Sequence, residues 1–536
     1  MSDDSSTNTP PAGDETPDAA ATGSGPSADG PQADRPSADA PPTAAKSAPD
    51  PRGGGITALR RAITRRPLTW SLGAFGAVIL LGAGGAIAIA AATAPTSSAS
   101  RAAAASASIA SRAPTAASTP TPTPTPTAPP VPTETAAAPA PPQRTCSVAA
   151  AAGAAGLGQF EGTVLDAATG EVLFDRSGTT AARTGSVMKT LTTATALADL
   201  GPGYRIPTTV VSEGNGTIAI VGHGDPTLSQ GGATVYPGAP TLAQLAQQVK
   251  ATLGDTPVTT LVTDDTYWSD TDAWDPSWPV SERTIGYQPM VTSLMVDGDR
   301  ADPGLATSPR STDPVGRAGA LFRTALASAG VAGSATASIV DRATSGTQEI
   351  ARVESQPVST LVGQMIPNSD NTLAEMLARV SSRVSGAGGS AASLTGVYQK
   401  ALATYGIDAA GIVIRDGSGE SDANAVPPAL VARLMIQVAA GNAGLGVLAQ
   451  SLPVSGVSGT LSSRFTGANA VARGKVHAKT GWIDTANTLG GYIDAADGTR
   501  LTFAFYALGS SRAAALPALD TITAAVYACG GNLSNG

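Results

Sequence analysis

Thr184-Gly185-Ser186-Val187-Met188-Lys189-Thr190-Leu191-Thr192-Thr193-Ala194 is the stretch that decides the reading of this chain. It predicts a helix from Ser186 to about Leu200, stopped by Gly201-Pro202. Three residues apart at a helix start, Ser186 and Lys189 lie on one face. The helix N-terminus adds positive potential and free backbone N–H groups beside the serine. A serine hydroxyl is a weak nucleophile until a base removes its proton, and a lysine does so once burial or a neighbouring cation lowers its pKa. A lone Ser-x-x-Lys also arises by coincidence. This chain, however, has only six lysines, and two of them stand in motifs that need one.

The other two motifs come after it in order. Ser369-Asp370-Asn371 precedes the helical apolar run Leu373, Met376, Leu377, Val380. All three residue types favour a helix N-cap, and a loop ahead of a helix can also point Ser369 and Asn371 into a cleft. There Ser369 would relay protons to the leaving amine, while Asn371 would orient Lys189 and bind the substrate amide. Lys479-Thr480-Gly481 comes directly after the strand-like Gly474-Lys475-Val476-His477-Ala478. A strand edge pairs with an extended peptide, Lys479 and Thr480 suit a terminal carboxylate, and Gly481 permits close backbone approach. Lys479 is also the candidate cation that would depress Lys189. Each tripeptide alone is a weak signal, with a helix cap or an exposed strand end as its rival reading. The three in this order are a strong one.

Composition narrows the alternatives. Aromatic residues make up 4% of the 536 residues and charged residues 14%, against 61 Gly and 41 Pro, so much of the chain does not read as globular. A net charge of −8 and a pI near 4.9 argue against nucleic-acid binding, which wants a basic face. Two histidines, His223 and His477, leave little for a metal site or a Ser-His-Asp triad, so no metal and no cofactor is expected.

Residues 1–66 read as a disordered cytoplasmic tail, too polar and Pro/Ala/Ser/Gly-rich to bury a core. Arg60, Arg61, Arg65 and Arg66 precede a charge-free run, Leu68 to Ala92. Residues 67–92 are therefore read as a transmembrane helix with its N-terminal side in the cytoplasm; at ~1.5 Å per residue such a helix spans roughly 37 Å. A signal peptide cleaved near Ala90 to Ala94 is the alternative. Residues 93–143 form an Ala/Ser/Thr/Pro-rich stalk whose Thr-Pro repeats favour extended polyproline II.

The folded region is read as 144–536. Gly162–Leu165 and Glu171–Phe174 predict a hairpin around Asp166–Gly170. Residues 205–350 read as short strands and turns with one helix near 315–329. Helices are predicted at 371–383, 391–404, 428–440 and 512–529. Paired strands are predicted at Leu489–Ile493 and Leu501–Leu508, around Asp497-Gly498.

The three motifs together resemble the acyl-transfer signature of penicillin-binding proteins and serine β-lactamases. Beyond them, Gly224-Asp225-Pro226-Thr227-Leu228-Ser229, Asp416-Gly417-Ser418-Gly419 and Leu452-Pro453-Val454-Ser455-Gly456-Val457-Ser458-Gly459-Thr460-Leu461 resemble the DacB-like D-alanyl-D-alanine carboxypeptidase/endopeptidases, the low-molecular-mass class C penicillin-binding proteins. The 183 residues between Ser186 and Ser369 fit that group's inserted domains, placed here at about 205–350. The resemblance implies an α/β (α+β) transpeptidase-like fold: an antiparallel sheet flanked by helices, a helical lobe, and the site between them. It implies Ser186 as acyl-ester nucleophile, Lys189 as general base, Ser369 and Asn371 in the proton network, and Lys479, Thr480, Gly481 and Trp482 at the substrate. The backbone N–H groups of Ser186 and Trp482 would form the oxyanion hole. The partners implied are peptidoglycan stem peptides, with β-lactams as covalent inhibitors. Trp482 departs from the hydroxyl residue frequent after Lys-Thr-Gly, which makes endopeptidase action more plausible. Gly185 replaces an alanine, with little effect expected.

His223 is read as structural, and His477 as a solvated or core residue that can also border the cleft. Trp268, Trp274 and Trp278 are read as a small core within the insert, with a binding surface as the alternative. Cys146 and Cys529 bracket the folded region; in an oxidising compartment they are expected to form a disulfide joining its first and last helices, two free thiols being the alternative. The competing functions are a β-lactamase, for which no convincing glutamate motif is found (Glu375 reads equally well as a helix-face residue), and a catalytically weak peptidoglycan-binding or sensor protein.

Overall fold

The computed structural model describes residues 143–535. The tail, transmembrane segment and stalk expected at 1–66, 67–92 and 93–143 lie outside the described residues, except for Gln143.

A five-stranded antiparallel sheet is built from the two ends of the folded region. Its order is Val172–Arg176, Gln159–Asp166, Arg500–Leu508, Ala486–Asp494, Val476–Ile483. The predicted hairpin and paired strands are its members. Successive side chains of a strand point to opposite faces, and Arg500–Leu508 divides its residues between two cores in this way. Phe503, Phe505 and Ala507 join one core, beneath the helix Arg512–Cys529. Ala504, Tyr506 and Leu508 join the other, shared with the helical lobe. Lys479-Thr480-Gly481 lies inside the edge strand Val476–Ile483 rather than after it.

The helical lobe contains Met188–Asp199, Asn371–Val384, Leu394–Ala403 and Pro428–Ala439, close to the predicted bounds. Val358–Asn368 and Gly446–Ser451 are further helices that the sequence reading missed.

Pro207–Glu354 carries a second five-stranded sheet, ordered Ser338–Asp341, Thr260–Asp264, Thr217–Gly222, Pro207–Gly214, Gln348–Glu354, with parallel and antiparallel pairs. Two long helices pack on it, Pro314–Ser328 and the unpredicted Leu242–Leu253. The latter begins with a capping box: Gln244 N donates to Thr241 Oγ1 at 3.2 Å, and Thr241 N donates to Gln244 Oε1 at 2.8 Å.

The tryptophans are not an isolated core of the insert. Trp268 and Trp278 are buried, and Trp274 packs beside them, in the core of the helical lobe. Their apolar surface joins insert to lobe, and Trp278 Nε1 donates to Asp416 Oδ2 at 2.8 Å.

Cys146 and Cys529 are disulfide-bonded, with Cα atoms 5.5 Å apart. Cys146 sits in a two-residue strand, Cys146–Ser147, that pairs with Leu533–Ser534, not in a helix as expected. Among the described residues, Arg512–Asn532 is long and apolar enough to cross a membrane, but half of it is buried within the protein, as suits a core helix.

Candidate active site

The nucleophile turn is held by backbone geometry. A single 3-10 turn, Gly185–Val187, leads into Met188–Asp199. Gly185 has φ +49°, and a Cβ there would lie 2.9 Å from Trp482 N. A Cβ on Gly481 would lie 2.9 Å from Ser186 N and 2.6 Å from Thr184 O. The turn and the edge strand therefore approach more closely than any other residue type permits. The expectation that Gly185 has little effect is corrected on this ground.

Lys189 is fully buried. Its Nζ donates to Ser186 Oγ at 2.8 Å, to Asn371 Oδ1 at 2.7 Å and to the Ser418 carbonyl at 2.8 Å. Burial lowers its pKa to about 8, against the opposing pull of Glu420, Glu375, Asp416 and Asp370. Desolvation is thus the cause, rather than repulsion from Lys479. That repulsion falls on Lys479, whose ammonium burial and Lys189 together push well below the ordinary lysine range.

Ser369 is the C-cap of Val358–Asn368 in left-handed conformation, φ 56°. Lys479 Nζ donates to its Oγ at 2.9 Å and to the Thr480 carbonyl at 2.8 Å. Asp370 is the N-cap of Asn371–Val384, accepting from Leu373 N at 3.0 Å. Both sequence readings of this tripeptide therefore hold: its middle residue caps the helix while Ser369 and Asn371 face the cleft. All three line a cleft of about 490 Å³ together with Ser186, Thr480, Gly481 and Trp482. Thr480 Oγ1 lies 2.8 Å from Thr460 Oγ1.

Several contacts that hold the site were not read from the sequence. Arg300 and Tyr236 of the insert reach Asp370 Oδ2 at 2.9 Å and 3.1 Å, so the insert props the second motif. Asp416 is buried and accepts from Gly419 N, Ser421 N, Asn424 Nδ2 and Trp278 Nε1 at 2.6–2.9 Å. This knot presents the Ser418 carbonyl to Lys189. Glu375, also buried, accepts from Gly417 N and Ser418 N at 3.0 Å and 2.8 Å; its role is to hold that loop. Glu420, next along, lines the cleft and accepts from Asn371 Nδ2 at 3.2 Å. Arg512 stacks over the Trp482 ring, 4.5 Å from its centroid, at the rim of the cleft. Asp416–Gly419 was singled out in the sequence, and Glu420 is the very next residue. Nothing in the sequence pairs Arg300 with Asp370 or Arg512 with Trp482.

His477 stacks on Tyr492 with centroids 4.7 Å apart and lies 4.0 Å from Asp494. His223 is packed edge-on against Tyr267.

With this geometry in place, comparison with known proteins gives a consistent answer. The D-Ala-D-Ala carboxypeptidase 3 (S13) family matches residues 147–309 and 300–526. The chain belongs to that family. It is 34% identical over 383 residues to carboxypeptidase DacB of Mycolicibacterium smegmatis, covering 70% of this chain and 81% of that protein. It is 30% identical over 446 residues to a D-alanyl-D-alanine carboxypeptidase of Actinomadura sp. strain R39, covering 67% and 79%. The fold is similar to that of penicillin-binding protein 4 (dacB) of Haemophilus influenzae, with a TM-score of 0.58 at 19% identity over 69% of this chain and 96% of the other. The S13 chain thus has the penicillin-binding-protein fold expected from its motifs.

Proposed function

We propose that this S13 protein is a serine-type D-alanyl-D-alanine carboxypeptidase/endopeptidase that acts on peptidoglycan stem peptides through an acyl-enzyme on Ser186. The observation that carries the reading is the contact between Ser186 Oγ and a buried amine, Lys189 Nζ, at 2.8 Å. With its pKa lowered to about 8, that amine is partly neutral near pH 7 and accepts the hydroxyl proton as Oγ attacks the carbonyl carbon. The Ser186 and Trp482 N–H groups serve as the oxyanion hole. Ser369, hydrogen-bonded to Lys479, gives a proton to the departing amine and regains one through Lys479 from solvent. Asn371 holds Lys189 and binds the substrate amide; Gly481 lets the substrate backbone approach. Thr480 lines the cleft for a terminal carboxylate with the buried Lys479 behind it, and Arg512, over Trp482, offers an exposed cation where the usual hydroxyl is missing.

β-Lactams are read as covalent inhibitors of the same serine. A Haemophilus influenzae penicillin-binding protein 4 of the same fold, TM-score 0.56, has been solved with a β-lactam. The anchor at 67–92 is read as placing the catalytic region outside the cytoplasm, and the Cys146–Cys529 disulfide suits an oxidising compartment.

The test is to expose the full chain to fluorescent penicillin and to a pentapeptide ending in D-Ala-D-Ala. Stable labelling and D-alanine release, both abolished in Ser186→Ala, are expected. Rapid penicillin turnover indicates a β-lactamase instead, and absence of labelling a binding protein.

A further inference from the structure

The three motifs supply groups for the first half of an acyl-enzyme cycle. Hydrolysis is a second half, and it requires a base for the attacking water. Four side chains lie in hydrogen-bonded series: Ser186, Lys189, Asn371, Glu420. The contacts are Lys189 Nζ to Ser186 Oγ at 2.8 Å, Lys189 Nζ to Asn371 Oδ1 at 2.7 Å, and Asn371 Nδ2 to Glu420 Oε2 at 3.2 Å. Glu420 lines the same cleft as Ser186, is half-buried, and forms no ion pair within 4.0 Å among the described residues. Glu282, Asp422 and Asp484 line the same cleft, but among the described residues none of them is hydrogen-bonded into the Ser186–Lys189–Asn371 series. The carboxyls closer to it are otherwise engaged. Asp370 is paired with Arg300 and caps a helix; Glu375 and Asp416 are buried in the loop they hold.

We propose that Glu420 is the general base of deacylation, accepting the proton of the water that attacks the Ser186 acyl-enzyme. The inference rests on the reading of Ser186 as the acylated nucleophile. The water oxygen bonds to the acyl carbon as its proton passes to the Glu420 carboxylate. The bond from that carbon to Ser186 Oγ then breaks, and Oγ recovers a proton from the Lys189 ammonium, which had held it since acylation. The stem peptide leaves as the free acid, Lys189 is neutral for the next cycle, and Glu420 loses its proton to cleft water. The electrostatics agree with that task. Burial and the facing Glu282 and Asp416 push Glu420 up to about 7, against Lys189 and the Asn371 hydrogen bond. Such a carboxyl is a stronger base than an ordinary one and is still ionised in part at neutral pH.

The experiment tracks fluorescent penicillin on the full chain in wild type, Glu420→Gln, Glu420→Ala and Ser186→Ala. Both Glu420 variants are expected to lose label on the order of a hundredfold more slowly, a change well beyond any shift in uptake that follows from the Asn371 contact and the pull of Glu420 on Lys189. Formate, a small carboxylate, is expected to speed release from Glu420→Ala but not from Glu420→Gln, where the side chain still fills the space. With the pentapeptide, both variants should release one D-alanine per enzyme in a burst and then slow. Label loss at the wild-type rate in both variants overturns the proposal, and so does a parallel fall in uptake and release. A wild-type protein that takes up no label instead refutes the reading of Ser186 and, with it, this inference.

Discussion

Lys189 is shut away from solvent, and a charged amine in that position lacks the solvation it would have outside. The neutral form is therefore reached at a lower pH than for an exposed lysine, and it is the form able to accept the Ser186 proton. Below about pH 8 the amine is mostly charged and acylation is slow; above it the base is free. The second-order rate constant for acylation by penicillin is expected to rise with pH and level off above a midpoint near 8. Stopped-flow or quenched labelling between about pH 6 and about pH 11, a range that brackets the lowered and the ordinary lysine pKa, checks it. A flat profile would remove Lys189 as the base. A second residue-scale expectation concerns Arg512, the exposed cation over Trp482. A hydrogen bond to a charged group contributes about 1.5–3 kcal/mol, and this one is exposed to solvent. Arg512→Ala is therefore expected to raise KM for peptides with a free C-terminal carboxylate by about tenfold, while leaving carboxamide-capped peptides unchanged. Equal effects on the two peptides would mean that Arg512 only supports Trp482.

At the scale of elements, the motif residues are placed by how their segments end. Ser369 stands where one helix stops in left-handed conformation, and Asp370 starts the next as its cap. The loop from Asp416 to Asn424 has little regular structure and is held by one buried carboxylate accepting four hydrogen bonds. Asp416→Ala leaves Gly419 N, Ser421 N and Trp278 Nε1 without an acceptor, while Asn424 Nδ2 keeps the Ser421 carbonyl, and each unsatisfied group costs about 1–3 kcal/mol. A loss of at least ~3 kcal/mol of stability in urea unfolding is expected, with slower acylation because the Ser418 carbonyl no longer faces Lys189. A variant with unchanged stability would show that other contacts hold the loop. Much at this scale was legible. The Asp497-Gly498 turn between the runs Leu489–Ile493 and Leu501–Leu508, and the helical period after Asn371, both marked elements correctly. The helix Leu242–Leu253 was legible too, through its capping box and its apolar residues at Leu242, Leu245, Ala246 and Val249, yet it lies within a segment read as strands and turns.

For the whole molecule, the insert and the disulfide each carry a consequence. Arg300, almost fully buried, pairs with Asp370 across the junction between insert and catalytic region. Removing one partner of a buried pair leaves the other charge uncompensated, at about 3–5 kcal/mol. Arg300→Met is expected to lower stability by an amount of that order and to slow penicillin acylation, since Asp370 lies between Ser369 and Asn371. Acylation at the wild-type rate would show that the second motif needs no support from the insert. The Cys146–Cys529 bond ties together residues 383 apart in sequence. In the chain-entropy model, closing so long a loop stabilises by up to ~4–5 kcal/mol, and often less. The Cys146→Ser/Cys529→Ser double variant is expected to lose about 2–5 kcal/mol in chemical denaturation. Thiol labelling of the unfolded wild type only after reduction checks the bond itself.

Read alone, the chain determined the acyl-transfer motifs, their order, the interval that needs an insert and the elements with a clear apolar period. All of these are local or countable properties, written in side-chain chemistry and spacing. The support around them was decided only in three dimensions. Arg300 against Asp370, Trp278 on Asp416, Arg512 over Trp482 and Glu420 beside Asn371 are pairs between distant segments, and no period or spacing along the chain encodes them. The same holds for the lowered pKa of Lys189, whose cause is the exclusion of water by packing rather than any neighbour in the sequence.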